Sequence, residues 1–407
     1  MKCRFCYTPL KHLFVSLDSS TLSNSYLRKE DLHKMEPSYP LEAYVCDKCF
    51  LVQLDEFESP ENIFTDYAYL SSYSDTWLKH VEDYAYKMMN IFGIDSKSFV
   101  IEIASNDGCL LQYFVKKGVS VLGIEPAKNV AEIAVRKGIT TETFFFGTET
   151  AKKMATEEKY ADLLLGNNVL AHVPNLNDFV AGMKIILKPQ GIITMEFPHL
   201  MRLIDGVQFD TIYHEHYSYF SFLTVKRLFE THGLSIFDVE ELSTHGGSLR
   251  IYAKHIEDDT KAVSENVHKL RQSEIETGFT DIKSYLDFNE KVKSIKREIL
   301  KFLIFAKEEG KSIAGYGAPA KGNTLLNYCG IKTDFIDYTV DRNPYKQGRY
   351  LPGSHIPIEA PEKIRETKPN YLIILPWNIK DEIMKQMDFI REWGGRFVIP
   401  IPRLEVI

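Results

Sequence analysis

Residues 99–118, FVIEIASNDG followed by CLLQYFVKKG, decide the fold. The first five are apolar or β-branched with one acid among them, ASNDG gathers small and turn-forming residues, and the next ten carry apolar residues at helical spacing. A strand that enters a small-residue turn and continues as a helix opens an α/β module whose backbone a ligand can approach. A second apolar strand, VSVLGIEP (119–126), ends at Glu125, about twenty residues on, where such folds place an acid against ribose hydroxyls. The turn lacks the G-x-G-x-x-G spacing that brings backbone against a pyrophosphate, so a cofactor without pyrophosphate fits better than NAD. The candidate cofactor residues are Glu102, Ala104, Asn106, Asp107, Gly108, Glu125 and Pro126. Asn167 and Asn168 join them at the end of a later strand in YADLLLGNNVLAHVPN (160–175), although Asn-Asn is equally a common turn.

That strand and LKPQGIITMEFP (187–198) continue an order that looks like the class I, Rossmann-like methyltransferases, in which the acid after the second strand holds the ribose of S-adenosylmethionine. The chain has 407 residues, and at about 100–200 residues per domain this predicts two or three domains. Three α/β-containing modules are expected: a small zinc-binding domain over 1–75, the methyltransferase domain over 76–255, and a helical connector with a second Rossmann-like domain over 256–407. A net charge of −7 argues against a nucleic-acid partner. No run approaches the ~20 apolar residues needed to cross a bilayer, and the first residues lack a signal peptide's apolar stretch, so no membrane partner is expected and the cytoplasm is the expected compartment.

Cys3-x2-Cys6 and Cys46-x2-Cys49 are two knuckles, each able to put two thiolates on one tetrahedral zinc. Four thiolates close the coordination shell, which makes the metal structural and joins two distant segments. Cys109 and Cys329 read as packed residues.

The stretch DTIYHEHYSYFS (210–221) crowds Tyr213, His214, Glu215 and His216 together. One reading is a metal-binding His-x-His pair on one face of a strand, although no further ligand stands out. The Cys pairs, IEIASNDG, AHVPN, YHEHYSYFS, GGSLR (246–250) and GYGAPAKGNTLLN (315–327), taken in order, resemble the sugar C-methyltransferases that act on nucleotide-linked 4-keto-6-deoxysugars in branched deoxysugar biosynthesis. The resemblance implies methylation at C3 through an enolate. His216 is then the base, Tyr213 a proton relay or enolate stabiliser, and Glu215 the residue that orients them. It also carries His172 and Tyr67 into the active site. The competing readings are O- or N-methyl transfer to a sugar or small metabolite, and a zinc-containing scaffold without catalysis.

Residues from about 257 to 310, as in SYLDFNEKVKSIKREILKFLIFAKEEG, read as long amphipathic helices linking the domains. GAPAKGNT is no Walker A loop, because its lysine precedes the second glycine. The family resemblance assigns the nucleotide-sugar to this module, through Gly317, Ala318, Lys321, Gly322 and Asn323, with Asp341, Pro376 and Trp377 at the ends of further strands. A monomer is the expected state.

Overall fold

The computed structural model describes residues 1–60, 71–73 and 75–407. At the amino terminus, β1 (His12–Ser20), β2 (Tyr39–Val45) and β3 (Val52–Leu54) form an antiparallel sheet completed by β9 (Ser218–Tyr219) from far along the chain. Strand β2 alternates cleanly, with Leu41, Ala43 and Val45 buried between more exposed neighbours, the period of a sheet with one face on a core. Val52 pairs with Tyr219 and Gln53 with Ser218. The carboxy-terminal end of the YHEHY stretch is therefore stitched to the amino-terminal module.

The middle sheet contains β4 (Phe99–Ile103), β5 (Ser120–Ile124), β6 (Thr141–Glu142), β7 (Ala161–Asn167), β8 (Leu187–Pro198), β10 (Leu234–Leu242) and β11 (Ser248–His255). Their order is β10-β11-β8-β7-β4-β5-β6. All run parallel except β11, which is antiparallel to both neighbours. This is the class I methyltransferase arrangement expected from the strand–turn–helix–strand pattern. Strand β4 is buried continuously from Val100 to Ile103, as a central parallel strand covered by helices on both faces must be.

The carboxy-terminal sheet contains β12 (Ile313–Tyr316), β13 (Thr339–Val340), β14 (Ile358–Glu359), β15 (Tyr371–Ile374), β16 (Arg396–Ile399) and β17 (Glu405–Val406), in the order β14-β13-β12-β15-β16-β17, with only β17 antiparallel. Helix Phe288–Glu308, read from sequence as a connector, does more than connect. Its buried stripe of Phe288, Val292, Ile295, Ile299, Leu303 and Ala306 belongs to one core with β1, β2 and the carboxy-terminal sheet. Phe14 of β1 stacks on Phe288 at 4.5 Å. Spacings of three and four put that stripe on one face. Truncating a fully buried member such as Leu303 to Ala costs about 2–5 kcal/mol. Among the described residues, no helix is long and apolar enough to cross a membrane.

Candidate active site

The two cysteine knuckles share one backbone design. The N–H of Tyr7 donates to the Cys3 carbonyl and that of Phe50 to the Cys46 carbonyl, each at 2.9 Å, and Tyr7 and Phe50 both take positive φ. Each turn thereby points its two sulfurs to one side. Cys3 and Cys49 sulfurs lie 3.5 Å apart, as do those of Cys6 and Cys46, and all four ligand atoms fall within 4.8 Å of one another. Four sulfurs at zinc–thiolate bond length form a tetrahedron with edges of about 3.8 Å, so the cluster suits zinc. It also braces the neighbouring module. Arg4 donates to the Pro174 carbonyl at 2.9 Å, and Asn177 donates to the Phe5 carbonyl at 2.9 Å, on either side of the loop that follows His172.

A cavity of about 500 Å³ opens where all three modules meet. One wall is the carboxyl end of the middle sheet. The turn after β4 holds Ala104, Asn106 and Gly108 at φ +57°, +49° and +74°. A Cβ on Gly108 would come within 2.8 Å of Ile139, so glycine is required there for space as well as for φ. Glu125 grips this turn by accepting the backbone N–H of Asn106 and of Ala127, both at 2.9 Å. Burial raises the Glu125 carboxyl despite those bonds, and raises Glu102 much further, with Glu125 and Asp107 adding to it. The side-chain oxygens Glu102 Oε2, Asp107 Oδ1, Asn167 Oδ1 and Asn168 Oδ1 are buried without a hydrogen-bond partner among the described residues. Unfilled buried acceptors are costly. A donor-bearing ligand in the cavity is the kind that fills those of Asn167 and Asn168, which line it.

Ala104, Asn106, Glu125, Pro126, Asn167 and Asn168 line the cavity, whereas Glu102, Asp107 and Gly108 stand behind it. Asp107 is instead paired with Lys137 at 2.9 Å.

On the facing side, the Tyr213 hydroxyl lies 3.0 Å from His216 Nε2, and His216 Nδ1 lies 2.9 Å from the Thr211 carbonyl. A carbonyl only accepts, so Nδ1 carries the ring proton and Nε2 presents its lone pair to the tyrosine. Burial, then the neighbouring His172, holds His216 well below its usual range. Burial likewise lowers His172 to about 4. The His172 and His216 rings meet edge-on at 4.7 Å. Both are therefore neutral near pH 7, with a basic nitrogen available on His216.

Several expected residues point elsewhere. Glu215 does not line the cavity. It accepts from Asn24 Nδ2 at 2.7 Å, and burial pushes its carboxyl up to about 7. It orients Asn24, a lining residue, rather than the Tyr213–His216 pair. The His-x-His metal reading loses its geometry, because His214 Nε2 bonds the Pro40 carbonyl at 3.1 Å while His216 is bound to Thr211 and Tyr213. Among the described residues the one cluster of metal-ligating side chains is the four cysteines. Tyr67 lies outside the described residues.

From the carboxy-terminal module only Lys321 and Pro376 of the expected residues reach the cavity. Gly317, Ala318, Gly322, Asn323, Asp341 and Trp377 do not, because they hold the module together or dock it. Asn323 donates to the Ser23 carbonyl at 2.6 Å, and Trp377 Nε1 donates to buried Asp210 at 2.7 Å. Lys321 Nζ donates to Asn378 Oδ1 at 2.8 Å and lies over the Trp377 ring at 4.6 Å. Burial lowers its ammonium, against an opposing pull from Asp210. Sequence reasoning missed His245, Asn378, Asn24 and Trp77, all of which line the cavity. For His245 a signal existed: a histidine directly before two glycines, beside a stretch already singled out.

Three family models match the chain: a zinc binding domain over residues 3–64, a methyltransferase domain over 77–239 and a C-methyltransferase C-terminal domain over 243–402. C-methyltransferase NovU of Streptomyces niveus is 34% identical over 406 residues, which is 100% of this chain and 96% of that protein. A ubiquinone biosynthesis O-methyltransferase of Bartonella bacilliformis is 26% identical over 98 residues, 23% of this chain and 38% of that protein. The solved structure of magnesium protoporphyrin IX methyltransferase from Synechocystis with bound SAM aligns with a TM-score of 0.34 and 14% identity, covering 43% of this chain and 78% of that one.

Proposed function

The chain belongs to the C-methyltransferase family represented by the Streptomyces niveus protein, and from that premise we propose that it methylates C3 of a TDP- or GDP-linked 4-keto-6-deoxysugar. It is an S-adenosylmethionine-dependent methyltransferase with a structural zinc. The observation that carries the substrate reading is the Tyr213–His216 pair. A tautomer-locked, neutral imidazole with a phenol on its free nitrogen faces the same cavity as the orphaned acceptors of the cofactor wall and the Lys321 ammonium.

A ketone at C4 acidifies the hydrogen on C3, so a weak base of this type suffices. The proton leaving C3 ends on His216 Nε2, relayed by the Tyr213 hydroxyl that already donates to that nitrogen. The Thr211 carbonyl holds the imidazole in the receptive tautomer and favours the imidazolium that results. S-adenosylmethionine supplies an electrophilic methyl on a sulfonium when bound. Ala104, Asn106, Glu125, Pro126, Asn167 and Asn168 would hold it, with Asp107, Gly108 and Glu102 shaping the turn from behind. Lys321 and Pro376 would meet the nucleotide-sugar, and Cys3, Cys6, Cys46 and Cys49 the zinc.

The test is deuterium incorporation at C3, followed by mass spectrometry and proton NMR, for a panel of TDP- and GDP-4-keto-6-deoxysugars in deuterated water with and without S-adenosylmethionine. One sugar is expected to exchange and to gain a methyl. His216→Asn is expected to lose both while keeping cofactor affinity. If no sugar exchanges or is methylated although S-adenosylmethionine binds, the keto-sugar reading is wrong.

A further inference from the structure

His245 has no place in the roles assigned so far, yet elements from across the molecule hold it at the cavity wall. It sits at φ +56°, followed by Gly246 and Gly247 at +92° and +120°. Such a conformation is uncommon for a residue with a side chain. The turn is tied down on every side. Thr244 donates its hydroxyl to Glu196 Oε1 at 2.8 Å, Gln208 Nε2 donates to the Gly246 carbonyl at 2.7 Å, and Trp377 packs so close that a Cβ on Gly246 would lie 2.5 Å from its ring. Trp77 meets the imidazole edge-on at 5.4 Å.

Neither ring nitrogen of His245 has a hydrogen-bond partner among the described residues, and Nδ1 is buried. His216 differs, with both of its nitrogens engaged. An immobilised imidazole in a sparsely populated backbone conformation, with its polar atoms unfilled, costs free energy that a ligand would recover.

We propose that His245 donates its ring N–H to the carbonyl oxygen adjacent to the carbon that is methylated, and so stabilises the enolate. The proposal rests on the keto-sugar reading above. As the C3–H electron pair moves into the C3–C4 bond, the C4–O π pair localises on oxygen. His245 keeps its proton throughout and shares it with that oxygen, while the C3 proton goes to the Tyr213–His216 pair. When C3 takes the methyl, the carbonyl re-forms and the sulfonium leaves as a thioether. Burial, then Lys321, lowers His245 to about 4, so the ring is neutral and retains a single N–H, a good donor to an oxyanion at neutral pH. Preorganised donors of this kind are worth about 100–1000-fold in rate.

The experiment uses His245→Gly and His245→Asn, both of which tolerate positive φ. The readout is C3 deuterium incorporation into the accepted keto-sugar without methyl donor, alongside melting temperature and S-adenosylmethionine affinity. His245→Gly is expected to exchange about 100-fold more slowly, to recover in part when free imidazole is added, and to keep its melting temperature and cofactor affinity. His245→Asn, which retains a side-chain N–H, is expected to fall between the two. Exchange at the wild-type rate in both variants overturns the proposal, and so does a loss in His245→Gly that imidazole does not relieve, since the turn rather than the N–H was then needed. Failure of the keto-sugar reading gives a different result: the wild type exchanges none of the sugars, which removes the oxygen assigned to His245 and overturns both.

Discussion

The turn after β4 and the turn after β12 are the same device, a strand running through small residues into a helix, but their polar groups meet opposite fates. After β4, with the neighbouring end of β7, four side-chain oxygens on Glu102, Asp107, Asn167 and Asn168 are buried and unfilled. After β12 most of the groups satisfy one another, with Asn323 Oδ1 left open. Asp341 accepts the N–H of Ala318 and of Asn343, both at 2.8 Å, and Thr339 donates to the Gly317 carbonyl at 2.7 Å. The Ala318 carbonyl takes the Tyr26 hydroxyl at 2.6 Å and Lys346 Nζ at 2.8 Å. Shared topology therefore says little about ligand capacity, which follows from the acceptors left open. Beside the first turn the open acceptors of Asn167 and Asn168 line the cavity, while those of Glu102 and Asp107 stand behind it. The second turn is built to seat the chain's own amino-terminal segment and reaches the cavity through Pro319, Ala320 and Lys321.

The strongest way to break this comparison is to remove what the second turn and the Tyr213–His216 segment lean on. Stripping zinc with a chelator, or substituting Cys46→Ser, is expected to abolish methyl transfer entirely, with a loss of sheet signal in circular dichroism. The amino-terminal module is too small to fold without its metal, and it supplies Tyr26 and Ser23 to the second turn and the pairing partner of β9 beside Tyr213–His216.

Next in size, Glu125→Ala is expected to weaken S-adenosylmethionine binding by at least about tenfold, since it loosens the turn after β4 and removes the acid proposed to hold the ribose. Calorimetric titration reads this directly. Asp341→Ala, the matching change at the second turn, should give the reverse pattern. It strands the N–H groups of Ala318 and Asn343, costing about 1–3 kcal/mol in denaturant stability, with cofactor affinity unchanged. Equal loss of cofactor affinity in both variants would sink the contrast between the turns.

The smallest effect expected is in pH dependence, where the two sides titrate in opposite senses. His172 is lowered to about 4 by burial. Its contribution to stability is full above pH 6.5 and is lost as pH falls through 4, because the unfolded chain takes up a proton the folded one resists. Asp210, beneath Trp377, is raised to about 6 by burial. Its contribution is full below pH 3.8 and is lost as pH rises through 6. In melting curves between pH 7 and 4, His172→Asn should flatten the acid-induced loss of stability and Asp210→Asn should steepen it.

Much was legible without coordinates. The two Cys-x2-Cys knuckles, the strand and turn at 99–108, the acid at Glu125, the Asn-Asn strand end and the closeness of Tyr213 to His216 all depend on residues near one another in the chain. There, spacing and dihedral preference dictate geometry. The zinc cluster needed one step more, but thiolates at tetrahedral spacing have few other uses.

What the sequence by itself determined is the architecture and the identity of the chemical groups: three modules, a cofactor fold, a four-thiolate knot and an imidazole–phenol pair. The tertiary structure alone decided which of those groups face the cavity. Glu215, inside the most conspicuous motif, is claimed by Asn24 from 191 positions away, Asn323 is claimed by Ser23 from 300 positions away, and unremarked His245 is left with open nitrogens at the cavity wall. The reason is physical. A buried polar group must find a partner or remain open to a ligand, and the available partners are chosen by long-range packing that local sequence does not encode.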